Sequence, residues 1–174
     1  MPRTLTLILG GARSGKSARA LDLARTAARV LFVATAEPLD DEMAARIAAH
    51  RRERPPTWDT LEEPRALADA LAARRDPYDL VIIDCLTLWV SNCMTTEPAT
   101  TDPLPELQRL LTVYRNGSAS WVIVSNEVGL GLVPDNPLGR AYRDVLGAAN
   151  RLIATEADAV TFMVAGLPLT VKGA

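Results

Sequence analysis

Eight consecutive residues, Gly10-Gly11-Ala12-Arg13-Ser14-Gly15-Lys16-Ser17, fit the pattern G-x-x-x-x-G-K-[ST]. In such a loop the glycines let backbone N–H groups wrap a polyphosphate at a helix N-terminus. The lysine reaches the β- and γ-phosphates and the hydroxyl ligates Mg²⁺. A chance match in a chain of this size should arise on the order of once per hundred or more chains. Lys16 is one of only two lysines, the other being Lys172. Asp84 closes the apolar run Leu80-Val81-Ile82-Ile83. An acid at a strand's C-terminal end can hold Mg²⁺ or a metal-bound water beside the phosphates, and a helix N-cap is the competing reading. Ser125-Asn126-Glu127 stands at another strand end, facing the ligand crevice of an open α/β sheet or making a turn. His50 is the single histidine. Arg46 and Arg54 lie four residues away on either side, so the three share one helix face, with Arg51 adjacent. An imidazole so placed can approach a phosphate; a solvated surface histidine is the alternative. These residues by themselves predict a P-loop phosphotransferase.

Such a loop needs a strand before it and a helix after it. Thr4 to Leu9 reads as a buried strand ending at Gly10-Gly11, and Lys16 to Ala28 has helical spacing. Val30 to Ala34 reads as a second strand. Asp40 to Arg54 reads as a helix, with Asp40 and Asp41 suited to its start, Arg51, Arg52 and Arg54 to its end, and Pro55-Pro56 as its stop. A further helix is predicted over Pro64 to Arg75. The wholly apolar run before Asp84 suits a strand covered on both faces. Thr95 to Pro105, with three prolines and several threonines, reads as a surface loop, followed by a helix over Leu104 to Asn116. Trp121 to Ser125 is a strand, Leu138 to Glu156 a long helix, and Val160 to Val164 and Leu169 to Val171 complete the sheet. No internal repeat is found. The alternation predicts an α/β fold with a mainly parallel sheet.

Length and composition agree. The 174 residues suit a single domain spanning the whole chain, 1–174, able to bury roughly 70% of its unfolded surface. Apolar residues at 48% and charged residues at 23% are ordinary for a globular protein. The formal net charge of -2 argues against a general grip on nucleic acid, so any phosphate site must be local. No apolar run approaches the ~20 residues needed to cross a bilayer, and the first residues lack a signal peptide's apolar stretch. The expectation is a cytoplasmic protein without a membrane span. Cys85 and Cys93 are too few for a disulfide framework or zinc site and read as reduced, packed side chains.

Three segments together carry a resemblance: Gly10 to Ser17; Asp40-Asp41-Glu42-Met43-Ala44-Ala45-Arg46-Ile47 followed by His50; and Asn126-Glu127-Val128-Gly129-Leu130-Gly131-Leu132-Val133-Pro134. Over nearly the whole chain the sequence resembles the bifunctional adenosylcobinamide kinase/adenosylcobinamide-phosphate guanylyltransferase family of cobalamin biosynthesis. The first segment is shared with many families, whereas the other two are specific to this one. The resemblance implies a P-loop NTPase fold of RecA type and a homotrimer. It implies phosphorylation of the aminopropanol hydroxyl of adenosylcobinamide by ATP or GTP, then transfer of GMP from GTP through a guanylylated histidine. His50 would be that histidine, and Gly10, Gly11, Ala12, Arg13, Ser14, Gly15, Lys16 and Ser17 would hold the triphosphate. Nucleotide contacts are implied at Ala34, Thr35, Ala36, Arg51, Arg52, Glu53, Arg54, Glu62 and Asp84, and Mg²⁺ would lie on Ser17 and Asp84. Asp84 stands where some relatives carry Glu. The partners so implied are the corrinoid and the nucleotides. The alternative is a P-loop small-molecule kinase without guanylyltransferase activity, which leaves the His50 face unused.

Overall fold

A computed structural model describes residues 3–74, 77–95 and 102–173. The element order is β1 Leu5–Gly10, α1 Lys16–Ala24, β2 Val30–Ala34, α2 Asp41–Arg52, β3 Asp59–Glu62, α3 Leu67–Ala72, β4 Leu80–Asp84, α4 Leu86–Thr95, α5 Leu104–Asn116, β5 Ser120–Val124, α6 Pro137–Glu156, β6 Ala159–Val164 and β7 Leu167–Lys172. The seven strands form one sheet in the order β3-β2-β4-β5-β1-β6-β7. All neighbours are parallel except β6 and β7, which form an antiparallel hairpin.

The central strands are buried on both faces because their side chains alternate between two cores. Val81 and Ile83 of β4 join Leu5, Leu7, Trp121 and Ile123 in the larger core, which also takes in buried residues of α3, α4, α5 and α6. Leu80 and Ile82 point the other way, with Phe32, Val122 and Val124, and meet Ala20 and Ala24 of α1. Helix α2 contributes no buried residue at all.

Several boundaries differ from the sequence reading. Helix α1 stops at Ala24 instead of Ala28, because Arg25 and Ala27 donate to carbonyls only three residues back and tighten the chain out of α-helix. Helix α3 begins at Leu67 rather than Pro64, since the Glu63 carboxylate accepts from the backbone N–H groups of Arg65 and Ala66 and holds that stretch as a turn. The predicted end of that helix at Arg75 lies outside the described residues, as does 96–101 of the predicted Thr95 to Pro105 loop. Thr95 itself closes α4, a helix the sequence reading lacked, and β3 was likewise not foreseen. β3 is a short, mostly exposed edge strand with no apolar alternation to announce it.

A cavity where two halves of the chain meet

The turn from β1 to α1 is set by backbone geometry. Gly10 has φ +153 and Gly15 φ +94, both in the region that side-chain-bearing residues avoid. A Cβ at Gly10 would lie 2.6 Å from Ser14 Oγ and 2.7 Å from the Met163 carbonyl, whereas one at Gly11 would meet nothing. The β6–β7 turn braces the loop, with Gly166 N–H donating to the Ser14 carbonyl at 3.1 Å. Ser14 Oγ is buried without a partner. A buried hydroxyl left free beside the N-terminus of α1 is what an incoming phosphate oxygen would satisfy.

Lys16 is mostly buried and its Nζ donates to the Gly11 carbonyl at 2.6 Å, so the ammonium lies back across the loop mouth. Burial lowers its pKa, with Cys85 and Asp84 pulling it back up. Asp84 stands at the C-terminal end of β4. Burial raises its pKa, while the hydrogen bond from the Ser17 hydroxyl and the charges of His50, Arg54 and Lys16 oppose the rise. Ser17 and Asp84 both line the cavity beside the phosphate loop and offer two hard oxygens, a donor set that suits Mg²⁺ completed by phosphate oxygens and water. Among the described residues no cluster of three or more His, Cys, Asp or Glu forms a metal cage.

Helix α2 closes the other side. Asp40 caps it, its carboxylate accepting from Met43 N–H at 2.7 Å. Met43, Arg46, Ile47, His50, Glu53 and Arg54 line the same cavity as Ala12, Arg13, Ser14, Gly15, Lys16 and Ser17, together with Ala34, Ala36, Asp84, Cys85, Thr87, Leu88 and Asn126. The cavity measures about 540 Å³. The half-apolar stripe of α2, at i, i+3, i+4 and i+7, thus faces this space and not the core, which is why the helix buries nothing. His50 Nδ1 lies 3.2 Å from Glu53 Oε2. Arg54, just past the helix end, lays its guanidinium 3.7 Å over the Phe32 ring, and burial lowers its pKa.

Arg46, His50 and Arg54 therefore share one face as their spacing predicts. Other implied contacts sit apart from the cavity lining. Arg51 pairs with Glu62 of β3, a bond that ties α2 to the sheet edge. Arg52 is exposed. Thr35 is buried, its hydroxyl donating to the Cys85 carbonyl at 2.7 Å and accepting from Cys85 N–H at 2.9 Å, which locks β2 to β4. Gly10 and Gly11 shape the loop from behind. The sequence reading missed Met43, Ile47, Thr87 and Leu88. The first two were legible as the i−7 and i−3 neighbours of His50; the latter two were not, because α4 itself was not foreseen.

The fold and the sequence both have known counterparts. The RadB recombinase superposes with a TM-score of 0.50 at 16% identity, covering 92% of this chain and 74% of that one. A prototypical ATPase from the type III secretion system of pathogenic bacteria gives 0.53 at 13% identity, covering 96% and 56%. These neighbours establish a RecA-like P-loop fold. In sequence, the bifunctional adenosylcobalamin biosynthesis protein CobP of Pseudomonas aeruginosa is 45% identical over 169 residues, 96% of each chain. The CobU proteins of the same description from Escherichia coli and Salmonella typhimurium are 37% and 38% identical over 180 residues, 97% of this chain and 99% of each of theirs. The family model for cobinamide kinase / cobinamide phosphate guanyltransferase matches residues 6–171, and the chain belongs to that family.

Proposed function

We propose that the chain, acting as one nucleotide-binding domain, phosphorylates the aminopropanol hydroxyl of adenosylcobinamide with ATP or GTP and then transfers GMP from GTP to the product through His50. The observation that carries this reading is that the phosphate loop and the only histidine line one cavity. A kinase alone would have no use for His50 there.

In the kinase step the loop amides and Lys16 hold the γ-phosphate in line with the incoming hydroxyl and absorb its charge. Ser17 and Asp84 would hold Mg²⁺, which neutralises developing charge on the phosphate oxygens. In the transfer step the Glu53 carboxylate accepts from Nδ1–H, leaving the lone pair on Nε2. Nε2 attacks the α-phosphorus of GTP, the P–O bond to the β-phosphate breaks, and pyrophosphate leaves with that electron pair. The ring becomes positively charged, and the Glu53 carboxylate stabilises it. The phosphate of the corrinoid then attacks the same phosphorus and releases neutral His50. Arg46 and Arg54 offset the negative charge of the phosphates in both displacements.

Incubation with GTP labelled at the α-phosphate tests this directly. An acid-labile, base-stable adduct on His50 is expected, and a protein that turns over adenosylcobinamide without ever becoming labelled would reduce it to a plain kinase. We further propose a homotrimer in which α2, free of any core of its own, lies near a subunit boundary. Sedimentation at micromolar concentration should give three times the chain mass of 18.8 kDa, and a monomer would contradict it.

A further inference from the structure

Apart from Leu23 of α1, the exposed large apolar side chains among the described residues lie along β6–β7 and in two connections that leave the sheet beside β4. In those connections they are Leu39, 81% exposed between β2 and α2, and Leu130, Leu132, Val133 and Leu138 between β5 and α6, with Leu132 at 96%. β2 and β5 are the two strands that flank β4, so both groups leave the sheet at the edge where Asp84 stands.

The β5–α6 connection is held in place although its apolar side chains are not. Glu127 N–H donates to the Gly10 carbonyl at 3.2 Å, and the Glu127 carboxylate accepts from Gly129 N–H at 2.7 Å. Arg143 donates to the Gly129 carbonyl at 2.8 Å and Arg140 to the Pro134 carbonyl at 3.1 Å. Asn136 caps α6 by accepting from Gly139 N–H. Five hydrogen bonds fix a backbone that then offers leucines to water, an arrangement with no folding advantage.

A second hollow, about 230 Å³, lies beyond it and is lined by Ser91, Met94, Thr95, Asn136, Leu138, Gly139 and Tyr142. One face of α4 joins the two spaces. Thr87 and Leu88 line the nucleotide cavity, and Ser91, Met94 and Thr95 line the hollow. The path from Leu88 to Thr95 is seven residues, about 10 Å along the helix. Tyr142 fixes α6 against it, its hydroxyl donating to the Thr87 carbonyl at 3.1 Å.

We infer that this surface, the α4 face together with Leu130, Leu132, Val133 and Leu138, is where the corrin macrocycle of the acceptor docks, leaving only its aminopropanol arm to reach along α4 into the nucleotide cavity. The inference rests on the function proposed above. Size carries it: a space of about 540 Å³ is the volume of one ordinary small-molecule site, and the nucleotide occupies it. The macrocycle must stay outside while its hydroxyl comes within bonding distance of the γ-phosphate. The apolar side chains of the β5–α6 connection suit the hydrocarbon faces of a corrin. The exposed backbone and the polar groups of Ser91, Thr95 and Asn136 suit its amide-bearing rim.

The test uses the full chain with Leu130→Asp and Leu132→Asp combined, and separately Leu138→Asp. Steady-state KM for adenosylcobinamide in the kinase reaction, GMP labelling of His50 without corrinoid, and sedimentation are measured on each. The expected result is a rise of about tenfold or more in the corrinoid KM of the double variant, the effect of losing the burial of a single leucine. Labelling, KM for GTP and assembly state should be unchanged. An unchanged corrinoid KM in both variants, with the wild type active, overturns the docking surface and leaves the proposed function standing. A fall in particle mass would instead make the patch a seam between copies of this chain, and would overturn it too. A wild-type protein that fails to phosphorylate adenosylcobinamide at all removes the proposed function and this inference with it.

Discussion

Helices α1 and α2 face each other across one cavity and are built on opposite principles. Helix α1 is anchored: Lys16, Ala20 and Ala24 are buried, its N-terminus is fixed by two glycines of positive φ, and the β6–β7 turn clamps its loop. Helix α2 buries nothing and is tied down by side chains, namely the Asp40 cap, the Arg51–Glu62 pair and the stack of Arg54 on Phe32. Phosphate recognition by backbone N–H groups demands rigidity, since the donors must be in place before charge develops. A nucleophile that must first take GMP and then hand it to a second substrate gains from standing on an element that can shift without disturbing the core.

The contrast is open to breaking, most severely at His50. His50→Ala should abolish covalent GMP labelling and guanylyltransfer altogether while leaving the kinase step largely intact, because that step uses no imidazole. Labelling that survives the substitution would place the nucleophile elsewhere. Lys16→Ala should act on both reactions, since one cavity serves both. A loss of about 10²- to 10³-fold in phosphorylation is expected, comparable to the removal of one fixed oxyanion donor, with circular dichroism confirming the fold. If guanylyl transfer runs at the wild-type rate in that variant, the triphosphate of the second reaction does not lie on the loop.

Asp84 sharpens the comparison from the stability side. Its carboxyl is raised by burial, so in the folded state ionisation is disfavoured and the charged form carries a cost. That cost is present above the folded-state pKa and is relieved as pH falls through it. Asp84→Asn removes the charge and keeps the shape. It should raise Tm by about 2–4 °C at neutral pH, roughly 1 kcal/mol for a domain of this size, while lowering kinase activity. The difference in Tm from wild type should shrink as the pH is lowered. A Tm gap that widened in acid would contradict the assignment of burial as the dominant cause.

How much of this was legible in the sequence follows the same division. The strand, loop and helix around Lys16 announce themselves through an apolar run, obligatory glycines and amphipathic spacing, and the strands at Val30, Leu80 and Trp121 likewise, because burial on both faces leaves a compositional mark. The face of α2 was legible only in part. Arg46, His50 and Arg54 stand out by type, whereas Met43 and Ile47 look like core residues and turn out to line a cavity. β3 and α4 were missed for opposite reasons. The first is too short and exposed to show a period. The second buries two of its polar residues, Thr87 and Asn92, alongside Leu86, Trp89 and Val90, and so shows no clean apolar and polar face to set a helical rhythm. The Thr35 bridge between β2 and β4 leaves no trace in the sequence, since a threonine looks alike whether it touches a ligand or a backbone.

The smallest effect bears most directly on the difference between the two helices. Asp40→Ala removes the one side-chain cap of α2, a change worth about 1 kcal/mol of helix stability. In a helix packed against the core that loss would appear in full as a lower Tm, because helix and core open together. With no buried residue in α2, local opening costs less than global unfolding, so the substitution should leave Tm within about 1 °C of wild type. It should instead speed hydrogen exchange at the amides of α2 by about fivefold, as 1 kcal/mol predicts at 25 °C, while those of α1 are unaffected. GMP labelling of His50 and phosphorylation should both be little changed, because a helix that opens rarely remains formed nearly all the time. Equally faster exchange in α1 and α2, or a Tm loss of several degrees, would mean that α2 is coupled to the core after all and that the two sides of the cavity move as one.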